Sequence, residues 1–569
     1  MIDTDKKFCS ILLDILSAKG LNQIVCSPGS RNAPLLIAAA ARPQLKKHFV
    51  VDERSASFMA LGISLVSKNP VALVCTSGTA LLNYAPGVAE AYYQGIPIIV
   101  ISADRPPQWI DQDDSQTIHQ ENVLSNFVKK SFNFPLDKYT DKELTWYVNR
   151  MVNEAYICAI SGKPGPVHIN IPLSEPLNGK LERQEFSQRI IDLLTPDAFN
   201  NKEIIKKLAE KAAESKILLT AGFMQPDANL QKVVSSFCKF KNVAVMAETI
   251  SNLHLKEEDY KIDSVLTSFT SEILDNLKPD IVITIGGSLI SRKLKEYLRR
   301  NSKSIEHWSI GTSNIVSDPF MSLTLKIEIE PRRFFRNLNS ELRKKSKKFN
   351  SEVSDYSTKW SGLRKISSGL KDTYIDLCKW SELKAFEIIL KNLPSDYNLF
   401  LSNGTAIRYA QIINYRLPHA SYCNRGVSGI DGSVSTAIGG AMEYKGKTLL
   451  ITGDLSMTYD ITSLSLKEVP DRFKIIVIDN QGGGIFRFIP STSTLEEREE
   501  YFCQSPLLPL KHLAEGYGWN YFEANNEGTL KDILEEFLSH PRKAIFKISC
   551  DGIKSAEILS DYMKCKAKI

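Results

Sequence analysis

A chain of 569 residues, 43% hydrophobic and 24% charged, carries apolar material for several cores, about three or four domains at ~150 residues each, and its composition excludes a disordered or fibrous protein. The formal net charge of +6 is too small for this length to point to nucleic acid, although it suits small anionic ligands if arginines converge. Ten cysteines stand singly, with no CxxC pair and no zinc-like Cys/His spacing, so reduced structural thiols are expected.

The first stretch, MIDTDKKFCSILLDILSAKG, sets apolar residues at helical spacing with acids among them, unlike a secretory leader. No run approaches the ~20 apolar residues of a membrane span. A soluble, cytoplasmic protein is expected, with no nucleic-acid partner. Short β-branched runs then recur, most of them ending in Gly, Asp or Asn. NQIVCSPG (22–29), VALVCTSG (71–78) and IPIIVISA (96–103) belong to a first block that closes with GPVHINIPLSEPL (165–177). KILLTAG (216–222), NVAVMAE (242–248) and DIVITIGG (280–287) make a second. The polar stretch RKKSKKFNSEVSDYSTKW (343–360) reads as a helical or flexible connector whose charges form a solvated face. NLFLSNG (398–404), TLLITGD (448–454) and KIIVIDN (474–480) make a third. Continuous apolar strands separated by amphipathic helices predict an α/β protein of doubly wound parallel sheets, with ligands at the carboxyl ends of the strands. The blocks run 1–185, 186–350 and 381–569, with a connector at 351–380.

Within the first block, VVDERSASFMALG (50–62) puts acids where a strand feeds a helix. Helix-start chemistry accounts for them taken alone: Asp52 can cap, and Glu53 favours the positive end of the helix dipole. In the third block, Asp454 and Asn480 end two strands 26 residues apart, the spacing of a βαβ unit, so both tips can face one crevice. An Asp carboxylate, an Asn carbonyl and a backbone carbonyl of Gly482, from the run Gly482-Gly483-Gly484, form an all-oxygen set that hard Mg²⁺ takes together with phosphate oxygens. Either residue alone reads equally as a helix cap.

Gly453-Asp454, about 25 residues, then Asn480 resembles the motif of thiamine diphosphate enzymes, with Leu455 for its second Gly and Asp479 for its first Asn. Five further stretches narrow the resemblance: SPGSRNAPL (27–35), TSGTALLNYAPGVAEAYYQGIPIIVISADRPP (76–107), DDSQTIHQ (113–120), CNRGVSGIDGSVSTAIG (423–439) and GDLSMTYD (453–460). Together they resemble the 2-succinyl-5-enolpyruvyl-6-hydroxy-3-cyclohexene-1-carboxylate synthase family. The middle block contributes only GGSLISRKL (286–294).

The resemblance implies three domains of the thiamine diphosphate-enzyme type: pyrimidine-binding, central and diphosphate-binding. It implies a transferase that decarboxylates 2-oxoglutarate and adds the succinic-semialdehyde carbanion equivalent to isochorismate, in menaquinone or phylloquinone biosynthesis. Glu53 falls where the family keeps the acid that bonds the cofactor's aminopyrimidine ring. Gly429, Ile430, Asp454, Asn480, Gly482 and Ile485 fall on cofactor positions, with Ile430 as the wedge that bends the cofactor. Asp454, Asn480 and Gly482 would hold Mg²⁺ or Mn²⁺. Ser30, Arg31, Arg105, Gln116, Arg292 and Lys293 fall where the family holds isochorismate. Arg408 and Arg425 fall where it holds the succinyl carboxylate, and Phe486 on an apolar wall. Two dicarboxylate substrates call for such cations, because Arg binds carboxylates bidentately and stays charged.

Gly404 stands where the family usually shows Ser, so a hydroxyl contact is lost or supplied by Thr405; Arg292-Lys293 stands where Lys-Arg is usual. The resemblance also implies a homodimer or a dimer of dimers, since acid and diphosphate site come from different subunits. A different thiamine diphosphate enzyme, acting on pyruvate, needs fewer cations than Arg31, Arg105, Arg408 and Arg425. A binding-only protein has no need of the intact Glu53, Asp454 and Asn480. His168, alternating within PVHINIP, reads as structural, and His119 carries no assigned role.

Overall fold

The structure, a computed structural model, describes residues 2–136, 142–183, 188–191, 202–313, 317–345, 353–489, 491–505 and 507–568. The boundary expected at 185/186 and the start of the connector at 351 lie outside the described residues; the connector's later part is the Tyr356–Leu377 helix. Among the described residues, three parallel sheets are flanked by helices, the α/β class expected from the sequence.

The first sheet contains β1 (Gln23–Cys26), β2 (Lys46–Phe49), β3 (Val71–Cys75), β4 (Ile98–Asp104), β5 (Ser131–Asn133) and β6 (Val167–Pro172), in the order β2-β1-β3-β4-β6-β5. The second contains β7 (Ile217–Ala221), β8 (Val243–Ala247), β9 (Ile281–Ile285), β10 (Glu306–Ile310) and β11 (Leu323–Ile327), in the order β8-β7-β9-β10-β11. The third contains β12 (Asn398–Leu401), β13 (Ala420–Tyr422), β14 (Thr448–Gly453), β15 (Phe473–Asp479), β16 (Asn520–Ala524) and β17 (Ala544–Ser549), in the order β13-β12-β14-β15-β17-β16. The first and third sheets thus share one topology. Every residue of β3, β4, β7 and β8 is buried, which is why these strands read as unbroken apolar runs rather than alternating ones. In the described residues no helix is long and apolar enough to cross a membrane.

The chain divides into two compact units. One comprises residues 1–195, 424–445 and 459–473; the other comprises 196–423, 446–458 and 474–569. The segments 424–445 and 459–473 pack with the N-terminal sheet for a local reason. The Glu53–Ser67 and Ser433–Glu443 helices meet backbone to backbone through glycines. A Cβ on Gly62 would lie 2.0 Å from the Thr436 carbonyl oxygen, and one on Gly439 would lie 2.3 Å from that of Met59. Glycine in a helix interior costs about 1 kcal/mol relative to Ala, and here it permits an approach no other residue allows.

Candidate active site

The residues singled out from the sequence fall into two groups, one on each unit. On the first unit, the strand-to-helix turn after β2 delivers the acid. Asp52 caps the Glu53–Ser67 helix, its Oδ1 accepting from the Arg54 and Ser55 N–H groups at 3.0 and 3.4 Å. Its Oδ2 accepts from the Thr462 hydroxyl at 2.6 Å. With the cap supplied by Asp52, Glu53 is half-buried and lines a cavity of about 260 Å³ together with Thr76, Ser77, Gly78, Asp114 and Gln116. Gln116 is exposed and sits at φ 56°, and its backbone lies against the turn at Gly78 (φ 83°).

Arg31 and Arg105 are brought together. Arg31, 4% exposed, donates to the Leu173 carbonyl at 3.2 Å and to Glu175 at 3.1 Å. Arg105 pairs with Asp114 at 2.6 Å and reaches the same Glu175 at 3.9 Å. Burial, and then the neighbouring Arg105 charge, lower the Arg31 guanidinium from its usual value. The two adjacent guanidinium groups are thus each paired with a carboxylate and share Glu175. Ser30 beside them is exposed.

A buried polar network sets this region. Gln120 accepts from the Gly78 N–H at 2.7 Å and donates to Asn170 at 3.0 Å. Asn170 donates to Asp104 at 2.8 Å, and Asp104 accepts from the Arg105 N–H at 2.7 Å. His168 is fully buried at 2.7 Å from Ser102, and burial pushes its imidazole down to about 4. It is structural, as its position in the strand implied. His119 is exposed beside Asp111.

The loop carrying Arg425, Gly429 and Ile430 belongs to the same unit, and all three are half-buried. Glu90, 3% exposed, holds this loop by accepting from the Gly426 and Val427 N–H groups, each at 2.7 Å. Sequence reasoning did not find Glu90, although a lone acid in the helix APGVAEAYYQ was a usable signal.

On the second unit, Asp454 follows β14 and Asn480 follows β15, neighbours in the third sheet. Asp454, 6% exposed, accepts from the Gly482 N–H at 2.7 Å and the Leu455 N–H at 2.8 Å, and burial raises its carboxyl above the usual range. Gln481, Gly482 and Gly483 all take positive φ, at 63°, 84° and 53°. A Cβ on Gly482 would lie 2.0 Å from the Gln504 carbonyl oxygen, so this tight turn requires glycine. Asn480, 4% exposed, donates to Glu382 at 2.9 Å, while its Oδ1 is buried with no hydrogen-bond partner among the described residues. Glu382 is itself buried, and burial pushes it up to about 7.

A buried orphan carbonyl beside the buried Asp454 carboxylate fits a hard divalent cation. Among the described residues no group of three or more His, Cys, Asp or Glu gathers in metal-binding geometry. Ile485 and Phe486 are half-buried in the turn that follows, the Phe486 ring 5.6 Å from Phe502.

Arg292, Lys293 and Arg408 line one cavity of about 790 Å³, together with Arg487, Phe488 and Ile489. Ile485 and Phe486 are not among its lining residues. Arg292 and Lys293 open a helix capped by Ser291 and both pair with Glu296, at 2.8 and 3.1 Å. Arg408 donates to the Gly404 carbonyl. The Thr405 hydroxyl donates to Glu382 at 3.0 Å, so its proton is committed and only its acceptor capacity remains for a ligand. Glu248, fully buried, accepts from the Ile290 and Ser291 N–H groups at 2.9 and 3.0 Å and from the Gln411 side chain. It thereby ties the segment bearing Arg292 and Lys293 to the one bearing Arg408. No sequence spacing announced it.

Residues 6–123 match the family described as thiamine pyrophosphate enzyme, N-terminal TPP binding domain. Over nearly the whole chain the protein is similar to 2-succinyl-5-enolpyruvyl-6-hydroxy-3-cyclohexene-1-carboxylate synthases. That of Porphyromonas gingivalis is 39% identical over 98% of this chain and 97% of the relative. That of Flavobacterium johnsoniae is 38% identical over 97% and 98%, and that of Bacteroides thetaiotaomicron 34% identical over 98% of each. The acid-lined turn, the paired arginines and the Asp454–Asn480 crevice therefore sit in a chain that belongs to the 2-succinyl-5-enolpyruvyl-6-hydroxy-3-cyclohexene-1-carboxylate synthase family of thiamine diphosphate enzymes.

Proposed function

We propose that this chain decarboxylates 2-oxoglutarate and joins the resulting four-carbon unit to isochorismate, giving 2-succinyl-5-enolpyruvyl-6-hydroxy-3-cyclohexene-1-carboxylate and CO₂, in the cytoplasm and within menaquinone (or phylloquinone) biosynthesis. Family membership over the full length supports the reaction. The observation that carries the site is the buried pair Asp454 and Asn480, with the unsatisfied Asn480 Oδ1 between glycine-rich turns.

Asp454, Asn480 and the Gly482 carbonyl would hold Mg²⁺ or Mn²⁺, whose charge would neutralise a bound diphosphate. Thiamine diphosphate, when bound, supplies the electron sink for loss of CO₂ and carbon–carbon bond formation. Glu53, half-buried at the start of its helix, holds a proton at the aminopyrimidine nitrogen. Gly429, Ile430 and Ile485 pack around the cofactor. Ser30, Arg31, Arg105, Gln116, Arg292 and Lys293 orient isochorismate, and Arg408 and Arg425 the succinyl carboxylate, with Phe486 on the apolar side. Residues 1–185 serve as the pyrimidine-binding domain, 186–350 as the central domain, 351–380 as a connector and 381–569 as the diphosphate-binding domain. The chain works as a homodimer or a dimer of dimers, one subunit lending Glu53 to its partner's diphosphate site.

The test is direct. Purified protein with Mg²⁺, thiamine diphosphate, 2-oxoglutarate and isochorismate should release CO₂ and consume the ring substrate. Absence of turnover with this complement overturns the reading, and turnover of pyruvate without isochorismate would favour another thiamine diphosphate enzyme.

A further inference from the structure

An asparagine has two unlike faces: its carbonyl oxygen can ligate a hard cation, and its amino group cannot. Which face meets a metal is decided by what holds the other. Asn480 Nδ2 donates to Glu382 Oε1 at 2.9 Å, and Asn480 Oδ1 is the buried oxygen left without a hydrogen bond. Glu382, 2% exposed, opens the Glu382–Lys391 helix and is itself held on two sides. Its backbone N–H donates to the Ser555 hydroxyl at 3.0 Å, and its Oε2 accepts from the Thr405 hydroxyl at 3.0 Å. Gly484 closes the remaining side: a Cβ there would lie 2.3 Å from Asn480 Nδ2 and 3.4 Å from Glu382 Oε1. With both carboxylate oxygens acting as acceptors, only the amino face of Asn480 can pair with Glu382.

We infer that Glu382 is a positioning residue of the metal site, orienting the Asn480 amide so that its carbonyl oxygen serves as the ligand. The inference rests on the cofactor site proposed above, and it extends that site to a residue outside the Asp454–Asn480 motif.

The experiment is Mn²⁺ binding to the full-length protein with thiamine diphosphate, read from the paramagnetic resonance signal of free Mn²⁺. Glu382→Gln keeps the size of the side chain, but its amide can pair with either face of Asn480. It should weaken Mn²⁺ binding about tenfold or more, the usual effect of removing an outer partner of a ligand, with the metal-free thermal midpoint close to that of the wild type. In an Asn480→Asp background the two ligand oxygens are equivalent and need no orienting. There Glu382→Gln should cause no further loss and should strengthen binding, because one of two facing carboxylates is removed. Unchanged affinity in Glu382→Gln, or equal weakening in both backgrounds, overturns the inference. Should Glu382→Gln not be recovered folded, Thr405→Val removes only the hydroxyl on the far oxygen; a smaller loss is expected, and wild-type affinity overturns the arrangement. Wild-type protein that fails to bind Mn²⁺ with thiamine diphosphate overturns the cofactor reading itself, and this inference with it.

Discussion

Glu53 and Asp52 are adjacent acids at one helix start, and their partners separate their roles. Asp52 takes the two backbone N–H groups and the Thr462 hydroxyl, so the helix needs nothing more from Glu53. Glu53 is then free to line the cavity beside Gly78 and Gln116. Glu53→Gln should leave thiamine diphosphate affinity within a few-fold of wild type, since the amide keeps the size of the side chain and a hydrogen-bonding end. Turnover should fall by roughly 10²- to 10⁴-fold, the usual contribution of a positioned acid–base group. Calorimetric titration with the cofactor and CO₂ release measure the two effects separately. Wild-type turnover in this variant would remove Glu53 from the mechanism.

Helices and turns hold such residues at fixed places, and glycine decides where elements can touch. The contact between the Glu53–Ser67 and Ser433–Glu443 helices leaves no room for a methyl group at position 62. Gly62→Ala should therefore destabilise the protein by about 1–3 kcal/mol through overpacking, despite the better helix propensity of Ala. Gly369, inside the Tyr356–Leu377 helix with no atom within 4 Å of its would-be Cβ, provides the opposite case. Gly369→Ala should be neutral or stabilising by up to about 1 kcal/mol. Urea unfolding of the two variants reads both signs, and like signs would show that packing at position 62 is not the controlling factor. Because the first of these helices begins at Glu53, strain at the contact should also appear as reduced turnover.

For the whole molecule, buried ionisable groups link stability to pH. Burial holds both His168 and His307 near 4, so they are neutral in the folded protein wherever the unfolded chain protonates them, at about 6.5. Below that pH the unfolded state binds protons that the folded state cannot. The histidines' contribution to stability should therefore fall as pH drops from about 6.5 toward 4, by roughly 3 kcal/mol per histidine at most, against the opposite trend of the buried Glu382, raised to about 7. Denaturant unfolding at pH 7.5 and pH 5 measures the difference, and His168→Gln should shift it toward greater relative stability at pH 5. A variant as pH-sensitive as the wild type would exclude His168 as a source. At the same scale, the first and third sheets share one strand order, which the sequence blocks hinted at only through similar length.

Strand runs such as VALVC and IIVISAD, the 26-residue interval from Asp454 to Asn480 and the glycine run beside it were legible because local periodicity and turn chemistry dictate them. Those features alone gave the α/β class and put Asp454 and Asn480 at neighbouring strand ends. Long-range contact decided the rest. Glu90 reaches a loop more than 300 residues away, Glu382 faces Asn480, and Glu248 joins Ile290 and Ser291 to Gln411. In each case a buried polar group had to find a partner, and only the folded chain determines which group is near enough to answer it. The sequence by itself put Asp454 and Asn480 at the ends of two strands of one βαβ unit; only the tertiary structure, which brings Glu382 against the Asn480 amide, decided which partner that amide meets, because burial leaves a polar group only the neighbours the fold supplies.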